Sequence, residues 1–363
     1  MNAPVLVMAG GTGGHIFPGL AVAQALRARG VPVAWLGNPA GMEARVVPPT
    51  GIPIEYVSIG GLRGKGVVTK LLAPLRIASA IAQCLRVMRR LRPRVVLGMG
   101  GYVTGPAGIA AWLSRRPLII HEQNAIAGMT NRILARFASE VLEAFPDSFP
   151  PAVRARAVGN PVRREISELS GPAVRFTGRG PRLRLLVFGG SQGALRLNQA
   201  VPAAIARMPA DLRPEVLHQA GGATLELARA AYGEAGVEAE ITPFIDDMAA
   251  AYDWADLAVC RSGALTVSEL AAAGLGSILV PFPAAVDDHQ TANAAYLVDA
   301  GAAILIPEPE LDPARLAAQL QALAGNRGQL LEMAVAARRR AHPEALDELA
   351  TACLSAARNG EQR

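Results

Sequence analysis

Three glycine-dense turns carry the first chemical signal in this chain. They read Gly10-Gly11-Thr12-Gly13-Gly14-His15, then Gly98-Met99-Gly100-Gly101-Tyr102 with Thr104, Gly105 and Pro106 behind it, and finally Gly189-Gly190-Ser191-Gln192-Gly193-Ala194. Each follows an apolar, strand-like run and leads into a helix-like one. Glycine lets backbone N–H groups crowd a ligand, and a helix N-terminus adds partial positive charge. The chemistry this suits is the holding of a phosphate or of a developing anion. Tight strand-to-helix connections also use glycine for steric reasons alone, so one such turn says little. Three of them, two quasi-repeated, point to a ligand. None fits G-x-G-x-x-G, and there is no GxxxxGK[ST], so simple dehydrogenase and P-loop readings lose ground.

A second group of chemically capable residues lies further on. A strand ending at Cys260 is followed by Arg261-Ser262-Gly263-Ala264-Leu265-Thr266-Val267-Ser268-Glu269. Ser262 or Gly263 starts a helix there, and Glu269 falls about two turns in. A carboxylate at that place can accept two hydrogen bonds from a ribose diol while the helix start faces a diphosphate. Taken without context, a solvated helix residue is the simpler account of Glu269. Beyond the next strand, Asp287-Asp288-His289-Gln290-Thr291-Ala292-Asn293 could hydrogen-bond sugar hydroxyls. The adjacent Asp287 and Asp288 raise the question of a metal, but paired Asp residues commonly form a cap or turn, and no metal site is expected. Asp246-Asp247 is ambiguous in the same way.

The elements that must position these groups alternate from end to end. Val5–Met8, Val33–Leu36, Val95–Gly98, Leu118–His121 and Arg156–Val158 read as strands of a first half. Leu183–Phe188, Glu215–Gln219, Glu240–Pro243, Leu257–Cys260, Ser277–Val280 and Ala303–Ile306 read as strands of a second. Helix-like segments lie between most of them, an order that implies parallel sheets with right-handed crossovers. VLVMAGGTGGH at residue 5 is echoed by LLVFGGSQGA at residue 185, as if two Rossmann-like domains each opened on a phosphate-type turn. The expected division is an N-terminal domain over 1–160, a C-terminal domain over 161–340, and a last helix over 341–363 packing back on the first, with Gly159-Asn160-Pro161 as the break.

Bulk properties agree with this outline. A chain of 363 residues with 51% hydrophobic and 18% charged side chains supports two buried cores. Three cysteines without a CxxC pair argue against disulfides and zinc, and leave small buried thiols as the expectation. The opening MNAPVLVMAGG reads as a first strand, not a signal peptide, and no run of about 18 apolar residues suggests a membrane span. Charge is uneven: between Tyr56 and His121 there is no Asp or Glu, while eleven Lys and Arg give that stretch +11 in a chain of net +6. One face of the N-terminal half should therefore meet a polyanionic partner.

In combination these stretches are identifiable. GGTGGHIFPGLAVA, SIGGLRGKG, VLGMGGYVTGP, HEQNAIAGMTNR, VGNPVR, FGGSQGA, FIDDMAAAY, CRSGALTVSELAAAG and DDHQTANA, together spanning most of the chain, resemble the peptidoglycan N-acetylglucosaminyltransferases of the GT-B superfamily. The resemblance implies an α/β fold of two Rossmann-like domains with parallel sheets facing across a cleft. It implies transfer of N-acetylglucosamine from UDP-N-acetylglucosamine to the C4 hydroxyl of muramyl-pentapeptide on an undecaprenyl diphosphate carrier, with inversion and without a cofactor. It assigns donor contacts to Gly11, Thr12, Gly13, Asn124, Arg163, Ser191, Ile245, Ala264, Leu265, Thr266, Val267, Ser268, Glu269 and Gln290. In that assignment the Ile245 backbone meets uracil, Glu269 takes the ribose, Ser191 and the Ala264–Thr266 helix start hold the diphosphate, and Gln290 orients the hexose. Acceptor contacts fall to Gly14, His15, Gly100, Gly101, Tyr102, His121 and Glu122. The base that takes the hydroxyl proton is expected to be His15, with Glu122 next. An equally weighted alternative leaves His15 hydrogen-bonded to the acceptor diphosphate.

A lipid-linked acceptor gives the acid-free stretch a partner. Leu71, Leu75, Ala78, Ile81, Leu85 and Met88 recur at three and four, with Arg76, Arg86, Arg89 and Arg90 beside them. Peripheral binding to the anionic cytoplasmic leaflet of the inner membrane is expected through residues 63–94, and cell-wall and division proteins are natural partners there. An ordinary core-facing helix with a solvated basic side is the plain alternative. Other GT-B enzymes on UDP-sugars, such as an epimerase or a glycolipid synthase, remain rivals, though the HEQN and GGSQGA stretches and the basic membrane face speak against the epimerase. A nucleic-acid-binding module is disfavoured, because no binding motif occurs and aromatics are only 4%.

Overall fold

The protein is described by a computed structural model that covers residues 3–59, 73–190, 193–283 and 288–361. It divides into two compact units, Met1–Pro161 with Pro343–Arg363, and Val162–His342.

The first unit is built on a seven-stranded sheet. Its strands are β1 (Val5–Met8), β2 (Val33–Gly37), β3 (Ile54–Tyr56), β4 (Val95–Gly98), β5 (Leu118–Glu122), β6 (Glu140–Glu143) and β7 (Arg156–Ala157), in the order β3-β2-β1-β4-β5-β6-β7. All pairings are parallel. β1, β4 and β5 are buried along their whole length, which is why they read as unbroken apolar runs and not as alternating ones. β3 and β6 were not anticipated. β3 is a three-residue strand at the sheet edge, and β6 begins and ends on glutamate. Glu143 is buried all the same, because its carboxylate accepts the N–H groups of Asp147 and Phe149 at 3.1 and 3.2 Å.

The second unit has a six-stranded parallel sheet. β8 (Arg184–Phe188), β9 (Glu215–Gln219), β10 (Glu240–Thr242), β11 (Leu257–Cys260), β12 (Gly276–Leu279) and β13 (Ala303–Leu305) run in the order β10-β9-β8-β11-β12-β13. The expected class, two α/β units on parallel sheets, therefore holds. In both sheets the chain starts near the middle, winds one way, then returns to the other side of the first strand. Open parallel sheets bind ligands outside the carboxyl ends of the strands at that reversal. Here the reversals lie between β1 and β4, where Met8 pairs with Gly98, and between β8 and β11, where Phe188 pairs with Cys260.

The last helix, Ala345–Glu361, belongs to the first unit and packs on helix Gly13–Ala28, β4 and β5. Leu349, Ala350, Cys353 and Ala357 are buried in that core, and Arg156 pairs with Glu348 at 2.5 Å. All three cysteines are buried free thiols. Helix Ala73–Leu91 seats Ala80, Cys84, Val87 and Met88 in the core. The apolar stripe read from sequence meets that face only at its C-terminal end: Met88 is buried and Leu85 half-buried against the core, Ile81 is half-buried, Leu75 and Ala78 are exposed, and Leu71 lies outside the described residues.

Candidate active site

The turns after β1 and β4 meet at the first reversal. Thr12 is extended and caps helix Gly13–Ala28 without a side-chain hydrogen bond, so the helix start is open to an anion. Gly101 is required by contact as well as by backbone: at φ +87°, a Cβ there would stand 2.1 Å from the Gly10 carbonyl oxygen. Behind the first turn, the fully buried Glu43 accepts the N–H groups of Asn38 at 2.9 Å and Gly11 at 3.4 Å. Tyr102 lies beside Gly11, and burial, aided by the Glu43 charge, pushes its hydroxyl above the usual tyrosine value.

His15 stands on the first turn of its helix with its ring against Gly100, where a Cβ would be 2.9 Å from the imidazole. Its Nδ1 is 2.8 Å from Oε1 of Gln123. The Gln123 amide nitrogen lies 3.0 Å from Nδ1 of His121 and 3.1 Å from the His121 carbonyl oxygen. Nε2 of His121 is 3.0 Å from the Gly159 carbonyl oxygen. His121 is fully buried, which pushes its imidazole down to about 4. Both its ring nitrogens are thus spent inside the protein.

Glu122 is also turned inward. Its oxygens accept Asn124 N–H at 3.0 Å, Gly128 N–H at 3.0 Å and Asn131 Nδ2–H at 2.8 Å, with Asn124 Nδ2 at 3.2 Å. The carboxylate thereby shapes the 124–131 loop. Of the acceptor-side candidates, Gly14, His15, Gly100, Gly101 and Tyr102 line the paired turns, while His121 and Glu122 form the layer beneath.

In the second unit, helix Ala264–Ala273 opens on Gly263, again without a side-chain cap. Two turns in, the Glu269 carboxylate accepts Arg163 Nη2–H at 3.2 Å and the Tyr252 hydroxyl at 3.0 Å. Burial raises its protonation range, and Arg163 and Tyr252 draw it back down. Val267 is fully buried and can offer a ligand only its backbone; the Ser268 hydroxyl is tied to the Ala264 carbonyl at 2.9 Å. Ala264 is buried, whereas Leu265 and Thr266 are half-exposed. Gln290 accepts Phe282 N–H at 2.8 Å, and its own carbonyl accepts the Ser262 hydroxyl at 2.8 Å. Asp288 takes the Thr291 hydroxyl and Asp247 caps helix Met248–Trp254, both ordinary turn roles. Ser191 and Asp287 lie outside the described residues.

Sequence reasoning passed over several participants. Gln219, at the end of β9, donates to Gly190 O at 2.9 Å and accepts Ile245 N–H at 3.1 Å, so it ties the third glycine turn to the backbone assigned to uracil. Tyr252, Gln123 and Glu43 likewise act on site residues from behind. Tyr252 sits in the FIDDMAAAY stretch and Gln123 in HEQN, but only the fold shows which atoms they hold.

Twin parallel α/β units, with open helix starts at each sheet reversal and a held carboxylate two turns into the second, define a sugar-nucleotide transferase architecture. Residues 5–143 match the glycosyltransferase family 28 N-terminal domain and residues 184–349 its C-terminal domain. The UDP-N-acetylglucosamine–N-acetylmuramyl-(pentapeptide) pyrophosphoryl-undecaprenol N-acetylglucosamine transferases of Nitrosococcus oceani and Marinobacter nauticus are each 57% identical to it, covering 98% and 97% of this chain and 99% and 97% of their own. The crystal structure of Acinetobacter baumannii MurG matches with a TM-score of 0.87 and 42% identity over 98% of this chain and all of that one. The glycosyltransferase of kitacinnamycin, at TM-score 0.73 and 18% identity over 98% of this chain and 99% of its own, shares the fold alone. The chain belongs to glycosyltransferase family 28, in its MurG branch.

Proposed function

We propose that the protein moves N-acetylglucosamine from UDP-N-acetylglucosamine to the C4 hydroxyl of undecaprenyl-diphosphate-linked N-acetylmuramyl-pentapeptide, with inversion. The observation that carries this is the full-length likeness to transferases named for that reaction, on a chain whose strand-end geometry suits both substrates.

On the donor side, Glu269 accepts the ribose diol, the open start of helix Ala264–Ala273 and the Gly189–Ala194 turn, with Ser191, hold the diphosphate, and the Ile245 backbone reads the uracil. As UDP leaves, charge grows on the diphosphate, where the helix start and Arg163 stabilise it. Gln290 and Asn124 orient the hexose. On the acceptor side, the paired turns at Gly10–His15 and Gly98–Tyr102 take the carrier diphosphate, and Gly11, Thr12 and Gly13 also serve the donor. His15 is the base for an in-line attack by the C4 hydroxyl. It is preferred to Glu122 because the oxygens of Glu122 are already engaged by loop N–H groups. UDP release that depends on both UDP-N-acetylglucosamine and the lipid-linked muramyl-pentapeptide is the expected result. Equal release without the lipid acceptor would overturn it in favour of another UDP-sugar enzyme.

The protein reaches its acceptor as a peripheral protein on the cytoplasmic face of the membrane. No helix among the described residues is long and apolar enough to cross one. Instead the first unit shows Leu75, Trp112, Leu113 and Phe137 to solvent, and Arg76, Arg86, Arg89 and Arg115 are exposed on the acid-free stretch that carries the first three. Trp112 and Phe137 are in ring contact at 5.0 Å. Exposed apolar side chains and arginines on one acid-free stretch suit an anionic lipid surface.

A further inference from the structure

We propose that Gln123 is a positioning residue that sets the tautomer of His15, leaving Nε2 as the proton-accepting nitrogen. The inference rests on the reading of His15 as the base and adds how the protein makes it one.

A chain of hydrogen bonds links His15 to the Gly159 carbonyl, and its far end has only one polarity. The Gly159 carbonyl can only accept, so Nε2 of His121, 3.0 Å away, carries the hydrogen. His121 is buried with no room for a second proton, so its Nδ1 is a bare acceptor. The group 3.0 Å from that Nδ1 must therefore donate, which makes it the amide NH2 of Gln123. The His121 carbonyl oxygen, 3.1 Å from the same nitrogen, demands the same orientation. The Gln123 oxygen then faces His15. Because it too can only accept, Nδ1 of His15, at 2.8 Å, carries the hydrogen. A neutral imidazole has one N–H, so Nε2 is left with its lone pair.

Nothing in this sequence of constraints can be reversed locally. Turning the Gln123 amide would set NH2 against N–H at one end and oxygen against a lone pair and a carbonyl at the other. Gln123 is almost wholly buried and its backbone carbonyl is held by Asn160 Nδ2 at 3.0 Å, so the side chain has a fixed root. The first histidine of the chain thus inherits its protonation pattern from a backbone carbonyl beyond β7. Orienting partners of this kind matter as much as the group they orient, since a misplaced proton removes a base without moving an atom. The other titratable groups near His15 are Tyr102 in the turn after β4, Glu43 on the short helix Glu43–Val46 behind the first turn, and Glu122 next to Gln123, whose oxygens point into the 124–131 loop.

The test is nitrogen-15 NMR of the full chain labelled at histidine, with steady-state kinetics on the same samples. In the parent protein, neutral His15 should show protonated Nδ1 and bare Nε2, and His121 the reverse. Gln123→Met, close to the parent in volume, should release the His15 tautomer and lower kcat by about 10–100-fold, the range for lost orienting partners, with donor KM unchanged. Gln123→Glu, protonated on the oxygen that faces His121, still donates to Nδ1 there and still offers His15 an acceptor; it should hold the His15 tautomer and recover much of the turnover, where Gln123→Met does not. A parent spectrum with His15 protonated on Nε2 overturns the proposal without any variant. So does a Met variant whose tautomer is unchanged, or one whose tautomer is lost while kcat stays at the parent level. If the tautomer is as stated but His15→Ala keeps near-normal turnover, the base reading fails and the positioning of His15 stands.

Discussion

Tyr252→Phe isolates one oxygen atom of the donor side. The ring is fully buried and meets Phe188 edge-on at 6.1 Å, so the phenyl body stays packed and only the hydroxyl is lost. That hydroxyl donates to Oε2 of Glu269 at 3.0 Å, while Arg163 supplies Oε1. A hydrogen bond to a charged group contributes about 1.5–3 kcal/mol, and one pKa unit is about 1.4 kcal/mol. Removing it should therefore raise the protonation range of Glu269 by about 1–2 units above a parent value that burial has already lifted. If the ionised carboxylate takes the ribose diol, UDP affinity should fall on the acid side first. The acid limb of the binding curve should move up by the same roughly 1–2 pH units, and kcat at saturating donor should hardly change. Calorimetric titration with UDP between pH 6 and 9 reads this directly. Stability supplies a second sign. Because the folded value of Glu269 lies above its unfolded one, its contribution is fully present below the unfolded value and is lost as pH rises through the folded one. The variant should therefore melt close to the parent in acid and progressively below it toward pH 9. Superimposable UDP-binding curves for parent and variant would refute the reasoning.

Further expectations follow from other features. His15→Ala should lower turnover by about 10²–10⁴, the range for a lost general base, and near-normal turnover at saturating acceptor removes His15 from that role. Gly101→Ala should cost at least about 1–2 kcal/mol from its left-handed backbone alone, with the clash on the Gly10 carbonyl added, so a melting temperature and turnover equal to the parent would contradict the close approach of the two turns. His218, buried between Tyr232 and Asn198 and pushed down to about 3, stabilises the fold above its unfolded value and loses that contribution as pH falls toward the folded one. Relative to a glutamine variant, this predicts about 2 kcal/mol less urea stability at pH 5 than at pH 7.5, and equal pH slopes would count against it. Trp112→Ser with Leu75→Ser should weaken sedimentation with anionic vesicles while leaving UDP binding intact, and parent binding that ignores both lipid charge and salt would sink the membrane surface.

The glycine turns, the strand alternation and the Glu269 helix were legible because each is local. A glycine pair after an apolar run, or a carboxylate two turns into a helix, can be read from neighbours in the chain. Gln123, Tyr252, Gln219 and Glu43 were not legible as site residues, because their meaning lies in a partner brought near by strand register. Gln219 reaches Gly190 only because β9 lies beside β8, and Gln123 meets His15 only because β5 follows β4, which lies beside β1. His121 shows the same limit from the other side. A histidine at a strand end reads as a ligand-facing group until burial and two internal partners are seen.

Helix Ala73–Leu91 shows why periodicity alone could not choose a face. Leu75, Ala78, Ile81, Leu85 and Met88 repeat at three and four, and so do Ala80, Cys84 and Val87; both sets are apolar and both satisfy a helical period. Burial decides between them. The second set enters the core; of the first, Met88 enters with it, Ile81 and Leu85 are half-buried, and Leu75 and Ala78 are exposed. A soluble helix normally has one apolar face, since a second costs solubility without stabilising the fold. Leu75 and Ala78, kept outward at the start of the helix on a stretch without acidic side chains, are what the proposed binding to an anionic surface rests on. The residues that separate the two faces are thus the ones a lipid leaflet would cover, and the Leu75 substitution tests them.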